Sequence, residues 1–357
     1  MAMNNSDFRQ IYASERINAD EITEGIKAEH KVLLDGFHES ISDLAESQEP
    51  RQSVKLSERL TKIGDIFLPH FVRADRLALK YQNLYVKGSK LIYILSVIAV
   101  LAVSAQYIFS LPHEILVLEI ASILCILFII LWGNKIGWHR RWLDYRLLAE
   151  RFRFAVFMAM VGEKVSIQFS ESDIHHAHET GHWVFMHFRE VWEKWGDNHN
   201  PLPSDQGSVQ IMKRFINICW LENQRVYHEN NVQKQLRKHK FLSLASEALF
   251  FLTLVAVLLH FFHFGGDLLS PYLTFTAILF PASGSAFSAL RAHFEHNRLA
   301  RRSAAIAKHL EGIQQRVSAV NDMDGLLAVV REAEELMLND NADWHVMIGV
   351  HHLEPPG

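Results

Sequence analysis

Apolar residues gather in four stretches of the chain, and between them the pattern returns to the polar–apolar alternation of amphipathic helices. Residues 91–109 (LIYILSVIAVLAVSAQYIF) carry no charge, and 114–132 carry only the acids Glu114 and Glu119. Residues 241–263 and 271–290 are runs of similar length. A nineteen-residue helix is about 28 Å long, close to the hydrocarbon core of a bilayer at about 30 Å. The spacing therefore predicts two membrane hairpins, closed by short turns at 110–113 and 264–270. A soluble helical hairpin is the competing reading, but soluble folds seldom need four such stretches. The expected fold is all-α: a polytopic membrane protein with four transmembrane helices in two hairpins and long cytoplasmic helical extensions.

Outside these stretches the periodicity is helical throughout, with no pattern for strands, a Rossmann turn, a phosphate loop or a nucleic-acid motif. Apolar positions recur at helical spacing from Ile22 to about Glu46, and a second run from near Lys55 is expected to be interrupted by Pro69. The sequence NHNPLPSDQG (198–207) reads as a loop. After each hairpin, LWGNKIGWHRRW and SALRAHFEHNRL contain no proline, so the exit helices are expected to continue the membrane helices, with Gly133 the weakest point. The tail after Gly312 reads as helix through Leu336. Five segments result: an N-terminal region 1–63, a first hairpin unit 64–164, a His- and aromatic-rich connector 165–219, a second hairpin unit 220–312, and a tail 313–357. The hairpins begin at Leu91 and Phe241, with similar polar helices before and basic helices after, which reads as a duplication.

Charge adds direction. Arg76, Lys80, Lys87 and Lys90 precede the first span, and Lys135, Arg140, Arg141 and Arg146 follow the second. Lys234, Arg237, Lys238 and Lys240 precede the third, and Arg291, Arg298, Arg301 and Arg302 follow the fourth, while both turns lack Lys and Arg. The positive-inside rule then puts the large polar segments and both termini in the cytoplasm. The opening MAMNNSDFRQIYASER has no apolar core for a cleavable signal, so the first span is expected to direct insertion. With 49% apolar residues, a formal charge of -4 and two cysteines, Cys125 and Cys219, the chain has neither the basic balance of a nucleic-acid binder nor a disulfide framework.

The strongest formal motif is HETGH. On a helix His178 and His182 would share a face to hold zinc, with Glu179 as general base. Phe185 stands where a metzincin-type string needs glycine, and His187, Glu190 and Glu193 supply no clear third ligand. The expectation is a packed or solvated His-rich helix with no metal or cofactor, and a zinc hydrolase is the catalytic alternative. Within the spans, Glu119 and Glu247 need an explanation, since a lone carboxylate in hydrocarbon is costly and turns to a partner, an aqueous path or the interface. Their depths differ, so they are not expected to pair within one chain. Glu119 and Glu247 are each expected to form a ring in an oligomer that attracts cations, or to pack between helices, and Glu247 alternatively snorkels toward Lys238, Lys240 and Arg291. The fourth span contains PASGSAFSAL, where Pro281 and Gly284 allow a hinge or close helix packing.

The segments WLENQRVYHENN, HNRLARR and AEELMLNDNADW between 220 and 344, and more loosely RADRLALKYQNLY and HRRWLDYRLLAER between 73 and 162, resemble the bacterial SLATT family of two-transmembrane effector modules. That family accompanies nucleotide second-messenger synthases and sensor domains. The resemblance implies a non-enzymatic effector of the bacterial inner membrane, active as a homo-oligomer in the lipid bilayer, forming or gating a pore under a cytoplasmic sensor or signalling protein. A non-catalytic scaffold for a cytoplasmic partner is the alternative.

Overall fold

The structure is a computed structural model that describes residues 5–42, 50–162, 182–196, 205–349 and 353. Among these residues there is no strand. In chain order the helices are α1 (Asn5–Ser14), α2 (Ala19–Ser42), α3 (Pro50–Phe109), α4 (Leu116–Ile136), α5 (Trp138–Val161), α6 (His182–Gly196), α7 (Gln206–Ile216), α8 (Asn223–Phe261), α9 (Gly266–Phe294), α10 (His296–Ala319) and α11 (Met323–Gly349). A short 3-10 turn, His113–Ile115, precedes α4, and a π-helical turn, Asn217–Glu222, precedes α8. Four of these helices, α3, α4, α8 and α9, are long and apolar enough to cross a membrane, and they form two contacting pairs. The protein is thus a multi-pass, all-α membrane protein with long helical extensions beyond the spans.

Two compact units divide the chain. The first comprises Met1–Gln82, Arg140–His228 and Ile306–Val350; the second comprises Asn83–His139, Glu229–Ala305 and His351–Gly357.

The first unit is built around aromatic side chains. Of the apolar positions of α6, Trp183, Val184, Phe185, Phe188, Val191, Trp192 and Trp195 are buried, a stripe about half the helix wide, and Met186 is exposed. Trp192 stacks on Phe67 at 5.5 Å, and Phe157 stacks on Trp220 at 5.2 Å. Helix α1 lies against α6, α2 against α7 and the π turn, and α11 against α7. Some polar groups taken into this core are paired: the Trp183 indole donates to Asp144 at 3.0 Å, and Glu150 accepts from Arg146 at 2.7 Å and Arg153 at 2.9 Å. The π turn brings Cys219 so close to Gly36 that a Cβ there would collide with the sulfur, which makes glycine a packing requirement at that position.

In the second unit, α4 buries Ser122, Ile126, Ile130 and Gly133 along one stripe and exposes most of its other apolar side chains. Helix α3 meets α9 near both ends of the apolar stretches. Tyr85 and Ser89 contact the His293 ring nitrogen at 3.0 and 3.2 Å, and Phe109 packs on Tyr272 and Phe275 at 5.2 and 5.4 Å. The second pair closes through Ser246, whose hydroxyl donates to the Gly284 carbonyl at 2.9 Å. Numerous large apolar side chains here, among them Leu131, Phe251 and Phe261, stay exposed, as a bilayer solvent requires.

Three expectations change. Helix α3 runs unbroken through Pro69, because the neighbouring Phe67, Leu68, Phe71 and Val72 are buried in the first unit's core and hold the helix despite one missing donor. The exit helices are not continuous with the spans. Gly137, with φ 74°, and Glu295, with φ 42°, each end a helix in the left-handed region, and each is followed by a helix of 24 residues, α5 or α10. Gly133 instead allows close packing, since a Cβ there would lie 2.5 Å from Leu353 and 3.0 Å from Trp138. Finally, the tail is divided at residues 320–322, where Asp322 accepts the Gly325 amide at 2.7 Å and starts α11.

Candidate functional site in the membrane helices

Glu247 lies about two helical turns into the apolar part of α8 and is exposed, with the equally exposed Leu244, Phe250, Phe251 and Leu254 around it. Its carboxylate accepts a hydrogen bond from Ser243, one turn back, at 2.7 Å. That same hydroxyl oxygen accepts from the Arg291 guanidinium of α9 at 2.7 Å. The serine thus relays between the acid and a cation on the neighbouring helix, and Glu247 does not contact Arg291 directly. The arrangement follows from antiparallel packing: Arg291 just follows the fourth apolar run, and Ser243 lies near the start of the third.

Glu119 is placed differently. It precedes Ser122 by three residues and so extends the buried stripe of α4, where it is half-buried. Glu119 and Glu247 make no contact with each other, in keeping with their different depths. Ser122 spends its hydroxyl on the Leu118 carbonyl at 2.8 Å.

Pro281 and Gly284 both lie inside α9, which is one continuous helix. Gly284 is its single buried residue: an added Cβ would stand 3.3 Å from the Phe250 ring and 3.4 Å from the Ser246 carbonyl oxygen. Its small size therefore lets α8 and α9 approach. Ser285 returns its hydroxyl to the Pro281 carbonyl at 2.8 Å.

At the basic end of these helices a polar chain links α8 to α10. The His296 ring meets Gln235 at 2.7 Å, Gln235 donates to Asn231 at 3.0 Å, and Asn231 donates to Ser303 at 2.8 Å. Burial, then the charges of Lys238, His239 and Lys90, push His296 down to about 4. Sequence reading singled out neither this chain nor the Ser243 relay. The available signal was a serine four residues before the intramembrane acid and polar residues at 231 and 235, one turn apart on α8.

Of the HETGH string, His178 and Glu179 lie outside the described residues, and His182 is the first residue of α6. Among the described residues no group of three or more His, Cys, Asp or Glu side chains is placed to hold a metal ion.

Residues 220–344 match the family model SLATT_1, SMODS and SLOG-associating 2TM effector domain 1. The matched stretch opens at Trp220 in the π turn, takes in α8, α9 and α10, and ends at Trp344 within α11. The chain therefore carries a SLATT_1 domain, an effector module of a non-catalytic class, whose two membrane helices are the second pair. No curated protein and no solved structure matches the chain.

Proposed function

Starting from a membrane-embedded SLATT-family effector module, we propose that several copies of the chain associate in the inner membrane and make or gate a permeation path under the control of a cytoplasmic sensor or signalling protein. The observation that carries this reading is Glu247. A charged side chain at the centre of an apolar span costs about 2.5–3.5 kcal/mol by insertion scales, and less at the depth of Glu247, about two turns from the basic end. In a single chain its surroundings on α8 are exposed apolar side chains, relieved by one serine hydroxyl. A second copy against this face, or water in a path between copies, removes that cost, and a ring of Glu247 carboxylates favours cations. Glu119, on the packed stripe of α4, has an interhelical role. Gly284 holds α8 against α9, and Pro281, one turn before Ser285, is the point at which α9 bends when the path opens. The large polar segments and both termini are cytoplasmic in this reading.

The test is reconstitution of the full chain in liposomes with its genomic partners. Cation flux that falls in Glu247→Gln supports the proposal. A protein that stays monomeric in nanodiscs and passes no ions, while holding one stoichiometric soluble partner, favours a scaffold instead.

A further inference from the structure

The two units treat their cations differently. In the first unit, Arg141 pairs with Glu15, Arg146 and Arg153 with Glu150, and Arg316 with Glu332. In the second unit, among the described residues, eleven Lys and Arg stand with only three carboxylates at the same end of the helices, Glu229, Glu247 and Glu295. Glu295 is engaged by Arg298 at 3.2 Å. Lys90, Lys234 and Lys238 have no ion pair among the described residues.

These three lysines converge from two helices. The Asn231–Ser303 and Gln235–His296 contacts fix the register of α8 against α10, and Lys234 and Lys238 flank Gln235 on α8. Lys90 reaches the same end from α3, because its neighbour Ser89 contacts His293, three residues before His296, at 3.2 Å; in keeping with this, partial burial, then the charges of Lys234 and Lys90, hold the Lys238 ammonium below the usual lysine range. All three are exposed, while His296 beneath them is buried and uncharged at neutral pH. Like charges gathered without a counter-ion repel, and such a cluster is relieved by an anion from outside the chain. Its depth identifies that anion. Lys90 directly precedes the apolar run of α3, and Lys238 stands three residues before that of α8, which is the level of the headgroups.

We propose that Lys90, Lys234 and Lys238, above the Gln235–His296 floor, form a site for the phosphate of an anionic phospholipid headgroup. The site rests on the membrane placement of these helices and is independent of whether the protein conducts.

The experiment uses the full chain in a mild uncharged detergent. Its thermal midpoint is followed while phosphatidylglycerol, phosphatidylcholine or inorganic phosphate is added at equal phosphate concentration. Phosphatidylglycerol is expected to raise the midpoint saturably and phosphatidylcholine to leave it unchanged. Each lysine removed should weaken the apparent affinity about five-fold, so Lys90→Gln/Lys234→Gln/Lys238→Gln loses roughly a hundred-fold. The single variant Lys234→Gln, with its five-fold loss, serves if the triple variant does not fold. Equal responses to the two lipids, or an unchanged affinity in Lys234→Gln, would overturn the site. A matching response to inorganic phosphate would overturn the lipid assignment and leave a free-anion site.

Discussion

Replacing Glu150 by glutamine tests whether the first unit depends on its buried ion cluster. The residue is 3% exposed and sits between Arg146 at 2.7 Å and Arg153 at 2.9 and 3.2 Å, all three on α5. Burial opposes its ionisation, but Arg146, Arg153 and His228 outweigh that effect and hold the carboxyl below its ordinary value of 4.5. Glutamine keeps the shape and removes the charge, leaving two part-buried guanidinium groups without their ion-pair partner and with Asp75 and Glu29 acting on them from farther away. Breaking such a cluster costs about 3–5 kcal/mol. For a unit of this size that corresponds to a midpoint fall of roughly 10 °C. The assay is thermal unfolding of the full chain in detergent, followed by near-ultraviolet dichroism of the buried tryptophans Trp183, Trp192 and Trp220. The pH dependence carries a sign. Because the folded pKa is depressed, the carboxylate's contribution is complete above the unfolded value near 4.5 and is lost as pH falls through the lower folded value. Wild type should therefore converge on Glu150→Gln in acid. A midpoint within 2 °C of wild type at pH 7 would refute the cluster's role.

Three more perturbations have defined outcomes. His187 is pushed down to about 4 by burial, then by His70 and Arg9, and its buried Nε2 has no hydrogen-bond partner among the described residues. Its neutral form is the folded one, so stability should fall as pH drops from 6.5 toward 4, and His187→Phe should flatten that slope in a midpoint-against-pH series. The buried Lys213 ammonium donates to the Ser318 and Val320 carbonyls at 2.9 and 2.5 Å and thereby caps α10. Lys213→Met keeps the apolar stem and should cost about 2–3 kcal/mol in denaturant unfolding. Glu295 holds φ 42° against a non-glycine side chain, so Glu295→Gly should gain about 1 kcal/mol, less a few tenths for the exposed Arg298 pair; a lower midpoint would contradict the strain argument.

The membrane spans were legible because an uncharged run of nineteen residues has few other uses, and within PASGSAFSAL it is Gly284 that packs closely, against Phe250 and Ser246. The direction in which each acid points was not legible. Glu119 and Glu247 look alike as isolated carboxylates, and only the choice of buried stripe sends one into the bundle and leaves the other exposed. Helix ends defeated sequence reading for a related reason. Gly133 and Gly137 are equally glycine, but one accepts Trp138 and Leu353 against its surface while the other supplies the left-handed turn, and Glu295 makes the same turn with no glycine to announce it. Pro69 misled in the opposite sense, since buried flanking residues outweighed one lost hydrogen bond. The first unit is assembled from three separated segments, so its aromatic core and the Glu150 cluster depend on long-range contacts that local periodicity does not encode.

The central claim is that copies of this effector surround a path to which Glu247 lends its charge. The most direct measurement is the cation-to-anion permeability ratio, taken from the reversal potential across a planar bilayer under a salt gradient, for wild type and Glu247→Gln assembled to the same extent. The account predicts cation selectivity in the wild type and a ratio moving toward unity in the variant. An unchanged ratio in a correctly assembled Glu247→Gln complex, or no conductance from an assembled wild-type complex with its activating partner, would contradict it.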